Sequence, residues 1–126
     1  MEKLLTLFDR VGGEEGVKNL VRSFYDRVLK DPELAPFFED ASIERLHRMQ
    51  SEFFAAALGG PVTYSGLSVH QAHFGLGIEK THFGLFVNHL IQTLKAFQLS
   101  EQDIHTLISR INTYADEVTG SAVVSD

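Results

Sequence analysis

Apolar residues recur along most of this chain at intervals of three and four, the spacing of a buried helix face. After the Gly12-Gly13 pair, the series Val17, Leu20, Val21, Phe24, Tyr25, Val28 and Leu29 predicts a long helix that closes at Asp31-Pro32. Pro36-Phe37-Phe38 follows as a connecting turn with Phe38 directed inward. Ser42 offers an N-cap to a second helix carrying Ile43, Leu46, Gln50, Phe53, Phe54, Ala57 and Leu58, and Gly59-Gly60-Pro61 stops it. The stretch to Gly66 lacks periodicity and reads as a mobile loop, followed by a short helix with His73. The stripe Phe83, Phe86, Val87, Leu90, Ile91, Leu94 and Phe97 predicts a third long helix. Ser100 with Asp103 opens a last one, Ile104, Leu107, Ile108, Ile111, Ala115 and Val118, expected to run close to Gly120. No segment alternates as a strand does, so the fold class is all-α with four substantial helices.

Three polar side chains interrupt these stripes: Tyr25, Gln50 and His73, each on a different helix. A buried amide or phenol without a partner costs about 1–3 kcal/mol, so each needs one. For Tyr25 the plain reading is a core tyrosine whose hydroxyl reaches water or a backbone carbonyl, and for His73 a hydrogen-bonded core histidine. Gln50, between Leu46 and Phe53-Phe54, has no apolar tip to pack. Three such groups in one core suggest a shared pocket.

Composition narrows what that pocket can hold. The 126 residues fit one domain, with an ordered core over about 4–118 and a frayed tail at 119–126. A formal charge of -6, with eleven Lys and Arg spread along the chain, argues against nucleic acid or an anionic membrane as partner. No apolar run is long enough to span a bilayer and no leader is evident, so the expected location is cytoplasmic. With no cysteine, a metal or cofactor must be held by His, Met, Tyr or carboxylate.

His70 and His73 are three apart and His82 and His89 seven apart, but the Glu-x-x-His elements of a di-iron bundle and an HExxH motif are missing. His82, His89, His47 and His105 fall toward helix flanks and read as surface or boundary residues. No GxSxG, P-loop or GxGxxG element is present, and no carboxylate interrupts an apolar stripe. A cofactor that brings its own apolar surface, one imidazole on one side and hydrogen-bond donors on the other remains. Haem meets that description, and ten phenylalanines are compatible with packing it.

The same residues resemble the truncated haemoglobins, most closely their group I (N-type) branch. Gly12-Gly13 is similar to the junction after that family's shortened first helix, and Phe24-Tyr25-Asp26-Arg27-Val28-Leu29 to its helix B. Pro36-Phe37-Phe38 resembles the turn with the haem-packing phenylalanine. The run from Leu46 to Pro61 resembles helix E and its glycine terminator, and Ala72-His73-Phe74-Gly75-Leu76-Gly77-Ile78 the short F helix. The likeness spans about residues 4–118.

The resemblance implies a two-over-two helical sandwich around haem b, with His73 as proximal iron ligand, Tyr25 as distal tyrosine and Gln50 as distal glutamine. His70 competes for the ligand role, although the glycines after His73 favour His73. Leu46 takes the place of the distal histidine of other globins. Phe38 would pack on the porphyrin, with Phe24, Phe53, Phe54 and Phe86 lining the pocket or serving as ordinary core. Met49 stands where some relatives carry an internal sixth ligand, so the resting sixth position is open between water, hydroxide, Met49, His47 or nothing. Arg48 and Lys80 are candidate partners of the haem propionates. The implied function is high-affinity binding of O2 and other diatomic gases (NO, CO), with NO dioxygenation to nitrate by Tyr25, Gln50 and an external reductase. The alternative is O2 storage, scavenging or sensing without turnover. The expected assembly state is monomer or weak homodimer.

Overall fold

In a computed structural model of the chain, which describes residues 6–60, 77–115 and Thr119, helix is the only regular structure among the described residues. Helix α1 (Leu7–Arg10) is a single turn capped by Thr6, whose hydroxyl accepts from the Asp9 amide at 3.1 Å. Gly12, at φ 107°, lies in the left-handed region that a side chain would resist, and it turns the chain into α2 (Gly13–Lys30). The predicted stripe is the buried face: Val17, Leu20, Val21, Phe24, Tyr25 and Val28 are all buried.

A 3-10 turn (Ala35–Phe38) with Pro36 inside it leads to α3 (Ile43–Ala57), whose N-cap is Ser42 as expected. The end of α3 forms a Schellman motif. The Gly59 amide bonds to the Ala56 carbonyl at 3.1 Å and the Gly60 amide to the Ala55 carbonyl at 2.8 Å, with Gly59 at φ 85°. A Cβ on Gly60 would stand 2.6 Å from the Phe8 ring, so the second glycine is there for close approach. The Phe8 amide also donates to the Leu58 carbonyl at 3.0 Å, which ties α1 to the end of α3.

Helix α4 (Lys80–Ala96) and helix α5 (Glu101–Asn112) complete the described core, with Phe83, Leu90, Leu94, Ile104, Leu107 and Ile111 inward. Ser100 caps α5 by accepting from the Asp103 amide at 3.1 Å. The regular part of α5 ends at Asn112, while Thr119 is helical near the expected end at Gly120. A turn at 113–114 intervenes, where the Thr113 hydroxyl donates to the Arg110 carbonyl at 2.6 Å and competes for a helix acceptor; Ala115 is helical again.

The helices are cross-linked by polar pairs as well as by packing. Arg10 meets Asp103 at 3.0 Å, joining α1 to α5, and Arg110 donates to the Ala57 carbonyl, joining α5 to α3. Between α2 and α4, Arg27 donates to the fully buried Thr93 hydroxyl at 2.8 Å, and Thr93 donates to the His89 carbonyl at 2.9 Å. His89 Nε2 stands 2.7 Å from Asp31 Oδ2 at the end of α2. That hydrogen bond holds the Asp31 carboxyl below its ordinary range, with help from the Glu33 amide. The expected mobile loop and the His73 helix lie outside the described residues, as does most of the expected tail.

Candidate functional site

Tyr25 lies where α2, α3, α4 and the 3-10 turn converge, and it is 2% exposed. Its place one turn after Val21 on the apolar face of α2 sends the ring inward. There four aromatic side chains surround it. Phe24 is 5.0 Å away between ring centres, Phe38 5.7 Å at an interplanar angle of 81°, Phe86 6.2 Å and His47 6.3 Å. Phe24 in turn meets Phe86 at 4.8 Å and Phe54 at 6.0 Å, both edge to face. Edge-on contacts of this kind are each worth about 0.5–1.5 kcal/mol beyond the area they bury. Together they fix the phenol's orientation.

The predicted aromatic residues separate into two layers. Phe24 and Phe54, at 0% and 1% exposure, are core residues that back Tyr25, whereas Phe38 and Phe86 are half-buried at its edges. Burial pushes the Tyr25 hydroxyl's pKa far above the ordinary tyrosine value, so the phenol keeps its proton at every working pH. It is a permanent O–H donor.

Helix α3 supplies the adjoining wall. Leu46, Met49, Gln50 and Phe53 share one face by their i, i+3, i+4, i+7 spacing, and all four are half-buried. Leu46 and Phe53 pack against the core, and Phe53 also meets Tyr114 edge-on at 5.7 Å. Gln50 thus stands on a helix face whose other members are apolar, and Tyr25, Phe38 and Phe86 come from neighbouring elements. Arg48 is about 200° around the helix from Gln50. It lines a different cleft, of about 650 Å³, with Phe8, Glu14, Lys18 and Arg22. That position does not fit the role of a propionate partner on the Gln50 face.

The histidines differ from one another more than their sequence context suggests. His105 is exposed, and His82 and His89 are boundary residues with defined partners. His82 Nδ1 accepts from the Glu79 amide at 3.0 Å while its ring meets Phe37 at 4.9 Å. His47 is half-buried, a boundary residue as expected, but its Nε2 is buried and has no hydrogen-bond partner among the described residues. An unpaired buried nitrogen costs about 1–3 kcal/mol. No set of three His, Asp or Glu side chains among the described residues can hold a metal ion. His73 and His70 lie outside the described residues, so the side of the pocket opposite Tyr25 rests on the sequence.

Sequence reasoning missed two features. One is the burial of His47 Nε2 with the ring set against Tyr25 of another helix, which no single-helix pattern reports. Thr93 did carry a signal, its slot in the stripe of Leu90, Leu94 and Phe97.

The described wall is apolar, aromatic and furnished with a permanent donor, which fits the distal side of a haem site. Comparison with known proteins bears on this. Residues 6–120 match the family model of the bacterial-like globins. The chain is 42% identical over 118 residues to the group 1 truncated hemoglobin GlbN of Mycolicibacterium paratuberculosis, covering 93% of this chain and 87% of that one. This chain belongs to the group 1 truncated haemoglobins.

Another member, from Tetrahymena thermophila, is 33% identical over 82% of this chain and 86% of its own length. The truncated hemoglobin of Tetrahymena pyriformis superposes with a TM-score of 0.85 at 28% identity, covering 90% of this chain and 97% of that one. It has been crystallised in the Fe(III) form, also as variants with a tyrosine changed to phenylalanine or a glutamine to glutamate. The 2/2 hemoglobin of Synechococcus sp. PCC 7002, with covalently attached heme, shares the fold at a TM-score of 0.86 and 24% identity, over 92% of this chain and 99% of that one. The fold is therefore the two-over-two globin sandwich expected from the sequence, and the chain is a member of a family of haem proteins that bind diatomic gases.

Proposed function

We propose that this chain holds haem b between His73 and the wall formed by Tyr25, Gln50, Leu46, Met49, Phe38 and Phe86, binds O2 with high affinity, and oxidises NO to nitrate. The observation that carries this reading is Tyr25: a phenol held neutral by burial and fixed by four aromatic neighbours beside the Gln50 face of α3. Haem iron supplies the capacity to bind and activate a diatomic ligand. The chain's own residues set how long the ligand stays.

Tyr25 donates its hydroxyl proton, and the Gln50 amide offers a second donor, to the polarised diatomic ligand. Hydrogen bonds to a charge-separated acceptor are roughly twice as strong as neutral ones. Leu46 contributes no donor at the position it occupies, so retention rests on Tyr25 and Gln50. Phe38 would pack on the porphyrin and Phe86 would line the pocket, while Phe24, backed by Phe54, packs against Tyr25. The overall conversion, NO plus O2 plus one electron to nitrate, balances with an electron from an external reductase. Met49 lies on the ligand-facing side of α3, and the resting pocket is taken to be open or to hold an exogenous ligand. We further assign one globin domain over about 4–118, a cytoplasmic location and a monomer or weak homodimer. Among the described residues no helix is long and apolar enough to cross a membrane.

The test is nitrate production when the oxygenated protein is mixed with repeated doses of NO and a reductase system. Sustained nitrate formation supports dioxygenation. A single stoichiometric burst leaves O2 storage, scavenging or sensing, and the absence of a Soret band in haem-reconstituted protein would sink the haem reading itself.

A further inference from the structure

Among the described residues, one buried side-chain nitrogen lacks a hydrogen-bond partner: His47 Nε2, on the turn of α3 before Met49 and Gln50. The ring of His47 stands against that of Tyr25, 6.3 Å between centres and tilted by 53°. His47 itself lines the outer cleft together with charged groups. Glu14, Lys18 and Arg22 of α2 and Arg48 and Glu52 of α3 line the outer cleft, and all but Glu52 are exposed, while Nε2 itself is closed to solvent. A phenolic oxygen stands beyond its ring and Nε2 sits on the rim of the imidazole. The structure shows no bond between the two atoms; with the Tyr25 ring held by its aromatic neighbours, rotation of the His47 side chain about its own torsions is the movement that would carry Nε2 toward the phenolic oxygen.

We propose that His47 is a positioning residue for Tyr25, with His47 Nε2–H donating to the Tyr25 phenolic oxygen. This inference rests on the distal role proposed for Tyr25. A phenol has one proton, and if His47 accepted it, none would remain for the ligand; the imidazole must therefore donate. A hydroxyl that receives a hydrogen bond is polarised and becomes a stronger donor in turn. His47 would thus aim the hydroxyl and strengthen the bond it makes in the pocket.

The test uses the haem-loaded ferrous protein and its CO complex, whose C–O stretching frequency rises when a nearby donor is lost. The variants are His47→Leu, His47→Gln, Tyr25→Phe and the His47→Leu/Tyr25→Phe double. The expected pattern is a rise in Tyr25→Phe and a smaller rise in His47→Leu. His47→Gln, whose amide reaches as far as Nε2, stays close to wild type, and the double variant goes no higher than Tyr25→Phe alone. O2 dissociation from His47→Leu is expected to quicken about two- to tenfold, the worth of one ordinary hydrogen bond. Should the leucine variant fail to fold, His47→Asn, whose amide stops short, takes its place with the same expectation. A wild-type frequency in His47→Leu, a shift of opposite sign, or additive effects in the double variant would overturn the proposal while leaving Tyr25's role intact. No change in Tyr25→Phe would remove that role first, and this inference with it.

Discussion

Tyr25 and Gln50 stood out in the sequence because each is a polar side chain in an otherwise apolar helical stripe; the structure buries Tyr25 and leaves Gln50 half-buried. The structure supplies the setting for Tyr25, rings on every side and a proton held by burial. His47 was read as a boundary residue and as one candidate for the sixth position, but the burial of its Nε2 beside Tyr25 was not legible, since along α3 it is one more polar residue at the flank of a stripe. Thr93 lies between these cases, sharing an apolar stripe while serving as the acceptor for Arg27 at 2.8 Å. Replacing Thr93 by Val keeps the shape and leaves the half-buried guanidinium without that acceptor. The expected loss is about 1–3 kcal/mol of unfolding free energy, measured by urea titration. An unchanged midpoint would mean that Arg27 finds water or another acceptor at no cost.

The helices themselves were read well because their apolar period persists over three or more turns, and the starts of α3 and α5 were marked by Ser42 and Ser100. Interruptions were harder, as the turn at 113–114 shows: the Thr113 hydroxyl bonds to the Arg110 carbonyl there, within an apolar period that continues. The Gly59-Gly60 terminator was visible as a stop, but its second function, admitting the Phe8 ring, requires the tertiary structure. Gly60→Ala is expected to destabilise the fold by about 1–3 kcal/mol through overpacking against that ring, read from thermal or urea unfolding. The Asp31–His89 contact fastens the end of α2 to α4 and gives a pH signature. Because the folded carboxyl titrates below its ordinary value, near 3.9 when unfolded, its contribution is complete above that value and is lost as pH falls through the folded one. Urea unfolding followed from neutral pH down to about pH 2, below the unfolded carboxylate value, should show a steeper acid limb in wild type than in Asp31→Asn. Parallel profiles would contradict it.

At the scale of the whole molecule, the sequence pattern was sufficient for an all-α fold and, through several separated motifs, for the globin family, because a haem pocket draws its parts from helices far apart in the chain. The structure describes the Tyr25 wall proposed for that pocket, built by α2, α3, α4 and the 3-10 turn; His73, proposed for the opposite side, lies outside the described residues. A ligand that binds only the folded state adds to its stability, so haem loading should raise the melting temperature, and by less in His73→Ala. Equal shifts in both would argue against His73 as the ligand. The most direct test of the central claim is the O2 dissociation rate of the haem-loaded ferrous protein, measured by rapid mixing with CO for wild type and Tyr25→Phe. Loss of a strong donor worth about 1.5–3 kcal/mol predicts a rate about ten- to a hundredfold faster in the variant. Equal rates in the two proteins would contradict the account.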